Sequence, residues 1–565
     1  RAGDRGDLGG SAPPSYPPPA RGGGTLRLED WEDRAAAKRQ GAAAVRRDHE
    51  KESLRRSEGG GVLPPCGGGS RRGALTVAAL IVLPLVALAL YPPTGFDTTM
   101  YHLPFAKAFV ATGGLPILFD LRFPIFPQGS EVLFAEAMIL DGDRAAQLVS
   151  LLATLATAAI LFGWAKRASR EGAASGAGEL AAALFLGGPI VAYLSGTAYC
   201  EPMLVLFLAA AFDQIDRFEA PDDPLRWFLA GVFAGSAAGV KYFGLFPVGA
   251  LFVVALFGSG SDRSVRWRRL ASSLGGVALF AVPWYVRELV YTGNPVFPLF
   301  PGLFGVTAWT GPGHMPPETA AIGPSKLTQM VRLPWTLTFG RPTFGRMPPW
   351  SPVVILALAA ALPAVRKNRR VQLLLGASLL YLGAFLFLPI DARYLLPILP
   401  LLSLAVAVSL APRLGWHRLM LPALVLVALA PAGLWCLYHL HRQGPLPASP
   451  VARDAFLADR LPAYSALRFL ARTEGAAATV YAFYAENHVY YAPGRFLGDW
   501  VGRTTFAEIL KLRSGDLLAE GLRARGVTHL LTILATEPPL PRDPSFAQRF
   551  QLVYDDGKAR VWKVL

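Results

Sequence analysis

The sequence predicts an α-helical polytopic membrane protein of about eleven transmembrane helices, followed by a small C-terminal extracytoplasmic α/β domain. Three observations lead there. Hydrophobic residues make up 52% of the 565 positions and charged residues only 17%, against roughly 25% charged in a soluble globular chain. The apolar excess, with a mean hydropathy of +0.36, arrives in uninterrupted blocks of membrane-crossing size. After about residue 440 the pattern changes to short alternating segments that suit strands and amphipathic helices. An ordinary cytosolic enzyme is therefore excluded. The net charge of +15 is carried by short Lys/Arg clusters between apolar blocks, so it reads as a topology signal and predicts no nucleic-acid partner. The three cysteines, Cys66, Cys200 and Cys436, form no CxxC or Cys/His pairing, which predicts neither a disulfide scaffold nor a zinc site.

Taken in order, residues 1–73 are rich in Gly, Pro, Ala and Arg and bury too little apolar surface to offset chain entropy. They are expected to form a disordered cytoplasmic tail, with one weak amphipathic helix between about Leu26 and Arg56. The predicted transmembrane domain runs from 74 to 440. Its apolar blocks are 74–91, 144–165, 178–198, 200–215, 226–240, 242–258, 269–289, 351–365, 371–389, 394–411 and 418–438. A spanning helix needs about 20 apolar residues, and the two short blocks around Lys241 are the doubtful ones. As one helix, 227–258 would be about 48 Å long, far beyond a hydrocarbon core of about 30 Å, so a break at Lys241 is expected.

Parity supports the same count. The basic clusters Lys166/Arg167/Arg170, Arg263/Arg266/Arg268/Arg269, Arg366/Lys367/Arg369/Arg370 and Arg413/Arg418 should share the cytoplasmic side. Eleven spans place them together; merging 227–258 would put the first opposite the others. The same count leaves the tail inside and everything after about His439 outside. Two long outer loops follow, 92–143 and 290–350, rich in Pro, Gly and aromatic residues as suits the headgroup level. The C-terminal unit, 446–565, is expected to fold as a helix at 463–473, a strand at 478–484, a helix at 505–525, a strand at 527–534 and a closing pair near 549–564.

Ionisable groups beside membrane spans are costly and usually mark function. On this topology Asp97, His102, Lys107, Glu131, Glu136, Glu201, Lys241, Asp391 and Arg393 all fall at the outer ends of helices. A transporter would place such groups nearer the midplane, within repeated and broken helices. Asp97 follows the first span closely, a position suited to a general base; it also suits a plain N-cap of the next helix. Arg393 offers a planar fork and Lys241 a point charge to a phosphate, while pairing with Asp391 or snorkelling at a helix end would explain them structurally. Glu201 either contacts substrate or completes a helix N-terminus. Glu131 and Glu136, on an amphipathic helix expected after Pro127-Gln128-Gly129, and Asp120 in the loop before it compete for the place of a second acid. The cluster Tyr481, Tyr484, Glu486, Asn487, His488, Tyr490, Tyr491, Asp499 and Trp500 reads first as an aromatic core and second as a carbohydrate surface.

The loop from Gly95 to Pro104, the Tyr199-Cys200-Glu201-Pro202 junction, the Lys241-Tyr242 pair, the Tyr291-Thr292-Gly293-Asn294-Pro295 turn and the Asp391-Ala392-Arg393-Tyr394 stretch occur in that order. Together they resemble the GT-C superfamily of membrane glycosyltransferases, of the protein O-mannosyltransferase and lipid A aminoarabinose transferase type, over about residues 74–440. The resemblance implies transfer of a hexosyl or pentosyl group from a polyprenyl-phosphate donor to an extracytoplasmic lipid, glycan or protein acceptor, usually with inversion, in a bacterial inner membrane. It implies Asp97 as the base, with Arg393, Lys241, Glu201, Tyr101, His102 and Glu131 as substrate-binding residues. No second acid adjoins Asp97, where some members keep adjacent acids, so no divalent metal and no other cofactor is expected. A flippase of lipid-linked sugars and a non-catalytic membrane scaffold are the alternatives.

Overall fold

The computed structural model describes residues 81–169, 176–216, 223–257, 262–305, 324–339, 347–365, 368–386, 391–414, 420–500, 509, 511–538 and 540–565. The predicted tail 1–73, the start of the first apolar block and the middle of the second outer loop lie outside them. The described part is an α-helical bundle followed by a small mixed domain, in agreement with the predicted class.

Among the described residues two helices are long and apolar enough to cross a bilayer, Gly129–Ala168 and Met420–Gln443, and a third joins them if the pair Ala177–Leu186 and Pro189–Ser195 is counted as one span. That pair corrects the straight helix expected over 178–198: it bends by 73° at Gly187-Gly188-Pro189, where the proline lacks the N–H that would continue the ladder. The block 269–289 is likewise divided, into Arg263–Phe280 and Val282–Thr292, with Pro283 in the first turn of the second piece. Helix Gly129–Ala168 joins the amphipathic segment expected after Gln128 to the second apolar block, across non-helical residues Asp141 and Gly142. Large apolar side chains such as Leu356, Leu379, Leu380, Leu434 and Leu437 stay exposed on the bundle, which suits a lipid-facing surface rather than a water-facing one.

The bundle has two chemically different ends. At one end Arg167 pairs with Asp213, Arg370 with Asp216 at 2.8 Å, and Arg269 lies 5.5 Å over the Trp227 ring. These residues come from three of the basic clusters. At the other end lie Glu131, Glu201 and Lys241. Helix Glu201–Asp216, about 24 Å long at 1.5 Å per residue, joins the two sets, with Glu201 at one end and Asp213 and Asp216 at the other.

The C-terminal unit begins with two helices, Pro450–Arg460 and Tyr464–Thr473, and is built on a five-stranded sheet of order β2-β1-β3-β5-β4. Strand β1 (Thr479–Ala482) runs parallel to β2 (Arg495–Gly498) and to β3 (His529–Ile533); β5 (Ala559–Val564) lies antiparallel between β3 and β4 (Phe550–Asp555). Helix Gly515–Arg523 covers the sheet, within the segment expected to be helical over 505–525. The expected helix Tyr464–Thr473 and the expected strands are present; of the helix expected over 505–525, residues 512–514 are not helical, and 501–508 and 510 lie outside the described residues. Helix Pro450–Arg460 and strand β2 are additional: β2 is only four residues long, and its strand character comes from pairing with β1 rather than from an alternating run of its own.

Candidate active site

The chain after the first helix makes one turn of π-helix, Thr98–His102, a geometry that recurs at functional sites. Asp97 precedes it with α-helical angles and makes no capping hydrogen bond through its side chain, so the N-cap reading fails. Its carboxylate accepts a hydrogen bond from the Tyr101 hydroxyl at 2.9 Å and pairs directly with Arg393. Its backbone N–H donates to the Tyr199 hydroxyl oxygen. Burial alone would push the Asp97 carboxyl up, but the charges of Arg393 and His102 and the bonds from Arg393 and Tyr101 outweigh it and hold the group below the usual carboxylate range.

Arg393 is placed by the turns ahead of helix Ile398–Leu414. Its backbone N–H donates to Asp391 Oδ1 at 3.0 Å and its Nε to Asp391 Oδ2 at 3.3 Å, so the arginine makes the pair with Asp391 that the structural alternative expects and also reaches Asp97. Its guanidinium lies 5.2 Å from the Tyr394 ring centre and 5.6 Å from that of Tyr199. Tyr394 also faces Lys241, whose Nζ is 4.6 Å from the same ring. One aromatic ring thus separates the two cations.

Lys241 occupies the expected break. Helix Pro224–Val240 ends there because Lys241 is extended (φ −162°, ψ 151°), and the chain folds into a short 3-10 turn before helix Leu245–Phe257. The fold-back depends on Gly244, where a Cβ would lie 2.0 Å from the Ala237 carbonyl. Lys241 Nζ donates to Glu201 Oε1 at 2.7 Å. Glu201 in turn opens helix Glu201–Asp216, where negative charge is favourable, as its structural reading expects.

His102 and Glu131 complete the cluster. His102 Nδ1 is 2.5 Å from Glu131 Oε1, Ser130 donates to Glu131 Oε2 at 2.9 Å, and both residues of the pair are fully buried. His102 Nε2 is buried without a hydrogen-bond partner among the described residues. Between the competing acids the structure decides plainly. Glu131 faces the cluster; Glu136 is exposed on the outer side of the same helix; Asp120 is taken by Arg495 of the C-terminal unit through contacts of 2.7 and 2.8 Å. Asp97, Tyr101, His102, Glu131, Glu201, Lys241 and Arg393 are therefore brought together at one end of the bundle. Among the described residues no group of three or more His, Cys, Asp or Glu side chains is arranged to hold a metal ion.

The sequence reading missed the part played by the C-terminal unit. Its 3-10 segment Glu486–Tyr491 lies against the π-turn: Thr99 donates to the Asn487 carbonyl at 2.6 Å, Tyr491 to the Pro93 carbonyl at 2.7 Å, and Lys107 to the Tyr490 carbonyl at 3.3 Å. Arg122 grips Glu486 at 3.0 and 3.1 Å. Tyr481 and Trp500 belong to the domain core, whereas Glu486, Asn487, Tyr490 and Tyr491 form its docking face. Burial without a facing acid pulls the Lys107 ammonium down to about 8. No local pattern in the sequence marks this contact.

Compared with solved structures, the chain matches ArnT from Cupriavidus metallidurans in the apo state with a TM-score of 0.58 at 14% identity, covering 88% of this chain and 98% of that one. The chain therefore shares the fold of that ArnT. A second structure of that ArnT, bound to undecaprenyl phosphate, matches at a TM-score of 0.55, 15% identity and the same coverage. The arabinofuranosyltransferase AftD from Mycobacteria matches at 0.50 and 16% identity over 88% of this chain, which spans only 40% of AftD. Within that fold, residues 133–286 match the family described as dolichyl-phosphate-mannose-protein mannosyltransferase. That stretch holds Glu201 and Lys241 but stops short of Asp97 and Arg393. Residues 452–563 match a family described as SF2091/S2213. An uncharacterized protein of Shigella flexneri, SF2093/S2215, is 39% identical over 62 residues, which are 11% of this chain and 31% of that protein.

Proposed function

We propose that this chain is a membrane glycosyltransferase that moves a sugar from a polyprenyl-phosphate donor to a hydroxyl acceptor on the extracytoplasmic side, with inversion. The observation that carries the reading is the direct contact between Asp97 and Arg393, with Lys241 one tyrosine ring away. The match to an ArnT bound to undecaprenyl phosphate supports the donor class. The eleven-span topology belongs to the same proposal, and the gathering of Arg167, Arg269 and Arg370 at the end opposite the cluster supports its sidedness.

The chemistry follows from the pairing. In the empty site Arg393 and Lys241 are neutralised by Asp97, Asp391 and Glu201, and Asp97, held as a carboxylate by its partners, is a weak base. A donor phosphate competes for the two cations. As Arg393 turns toward phosphate oxygens, it releases part of its hold on Asp97, whose carboxylate then gains basicity when the donor is in place. Asp97 takes the proton of the acceptor hydroxyl, the acceptor oxygen bonds to the anomeric carbon, and the bond from that carbon to the phosphate oxygen breaks with its electron pair left on the phosphate. Attack from behind an oxocarbenium-like centre gives inversion, by the logic of inverting glycoside chemistry. The leaving group needs no proton because Arg393 and Lys241 receive its charge, and this route invokes no metal.

The test is sugar transfer in membranes supplied with labelled polyprenyl-phosphate sugar, comparing wild type with Asp97→Asn and Arg393→Ala. Loss of transfer in both is expected. Full transfer in both removes the mechanism, and movement of label across the bilayer with no glycosidic bond formed replaces it with a flippase.

A further inference from the structure

Behind the Asp97 segment lies a half-enclosed cavity of about 130 Å³ that none of the charged residues of the cluster lines. It lies between the end of the first helix, the short helix Pro189–Ser195 and the end of helix Met420–Gln443, all on the same end of the bundle as Asp97. Trp435 and Tyr193 form one wall, meeting edge to face with ring centres 6.2 Å apart, and His439 packs on Trp435 at 4.0 Å. Thr94, Thr197 and Gln443 supply polar groups.

The hydrogen bonding of this lining is incomplete in one place. Thr197 is committed to the Tyr193 carbonyl, and Gln147 to the carbonyls of Ala89 and Tyr91. Gln443 Oε1 is buried and receives no hydrogen bond among the described residues. A buried acceptor left in this state is unfavourable unless an O–H or N–H donor arrives. The volume is close to the roughly 150 Å³ that accommodates a bare benzene ring, and the open side of the cavity leaves the hydroxyls of a six-membered ring free to project outward. An aromatic wall facing a polar rim suits a ring with an apolar face and hydroxyls at its edge; an acyl chain would leave Gln443 unpaired.

The cavity also has a physical connection to the base. Tyr193 packs against Tyr199 with ring centres 5.9 Å apart, and the Tyr199 hydroxyl accepts the Asp97 N–H. Tyr199 touches Tyr193, which lines the cavity, and Arg393, which does not. Gly95 lines the cavity two residues before Asp97, and a Cβ there would come within 2.9 Å of Thr98 Oγ1 and 3.1 Å of the Tyr199 ring, so the wall between the cavity and the Asp97 segment is closely packed at this point.

We propose that the cavity bounded by Trp435, Tyr193 and Gln443 binds a sugar ring of the acceptor, beside the Asp97 segment and in contact with it through Tyr193 and Tyr199. The proposal rests on the glycosyltransferase reading and deepens it: the acceptor is itself a glycoside, bound apart from the donor phosphate at Arg393 and Lys241.

The experiment uses the full chain in phosphatidylcholine nanodiscs free of glycolipid. Saturation-transfer NMR is recorded with the methyl glycosides of glucose, galactose and mannose, and with cyclohexanol as an apolar ring of similar size. Saturation of ring protons in at least one glycoside, reduced at least fivefold by Gln443→Met and by Trp435→Ala, is the expected result. Gln443→Met keeps the side-chain volume, and unchanged thermal unfolding of that variant shows that the fold survives. No transfer to any glycoside, equal transfer in wild type and both variants, or cyclohexanol binding in preference to all glycosides overturns the proposal. Sugar transfer by a chain that binds no glycoside removes the cavity assignment and leaves the reaction standing. Glycoside binding by a chain without transferase activity supports the cavity as a sugar site and removes the reaction.

Discussion

Charged residues are used in two contrasting ways in this molecule. In the cluster around Asp97 the pairs are buried: Arg393 and Asp97 are 12% and 10% exposed, Lys241 and Glu201 20% and 1%. Where the C-terminal unit docks, one pair is open to solvent: Arg495 and Asp120 are 52% and 33% exposed. The difference teaches which charges can do chemistry. A buried pair has lost its water, so a ligand that replaces one partner changes the other strongly, whereas an exposed pair is screened and exchanges its partner for water at little cost.

The contrast breaks most visibly at Asp97. Asp97→Asn should lower sugar transfer by about 10²–10⁴-fold, the range for removal of a positioned general base, measured with labelled lipid-linked donor in membranes; activity within threefold of wild type would place Asp97 outside the chemistry. Arg393→Lys should keep the charge but lose the fork, falling less than Arg393→Ala.

Next in size is Lys241→Met. It leaves Glu201 buried without its cation, and breaking such a pair costs about 3–5 kcal/mol, to be read as a fall in unfolding temperature. The double variant Lys241→Met with Glu201→Gln should recover most of that stability but not the activity. Recovery of both would make the pair purely structural. By comparison, Arg495→Ala at the docking face should change stability by about 0–1 kcal/mol and leave transfer within a few-fold; a large loss there would show that docking holds the π-turn in its working shape.

Acid should separate the two regions. His488, in the docking segment, accepts the Ala463 N–H through Nε2, and burial pulls its imidazole down to about 4. Between that value and the ordinary 6.5 the unfolded chain binds more protons than the folded one, so the stability this group contributes is present above pH 6.5 and is lost as the pH falls toward 4. The Asp97 carboxyl is depressed instead, so its contribution is present above the ordinary carboxylate value and fades only below it. Lowering the pH from 7 to 5 should therefore loosen the C-terminal unit, read by hydrogen exchange at residues 463–491, while the Asp97–Arg393 contact persists. Simultaneous loss of protection in both regions would contradict the assignment.

Some of this was legible from single residues. The break at Lys241 followed from a length argument, and the helix carrying Glu131 from its position after Pro127-Gln128-Gly129. The bend at Gly187-Gly188-Pro189 had a signal in the sequence that the apolar run concealed, since hydropathy does not register direction. The choice of Glu131 over Glu136 could not be read, because both lie on one amphipathic helix and only the neighbouring His102 distinguishes them. The docking of Asn487 on Thr99, 388 positions apart, has no local signature at all.

Hydrophobicity, charge clustering and turn chemistry are properties of short stretches. From them the sequence alone determined a membrane-helical chain with an α/β unit after it, and its acids and cations at helix ends. Which acid meets which cation was decided only by tertiary structure. Asp97 and Arg393 lie 296 positions apart and Lys241 and Glu201 lie 40 apart, and an ion pair forms over a few ångströms that only the convergence of separate helix ends can supply.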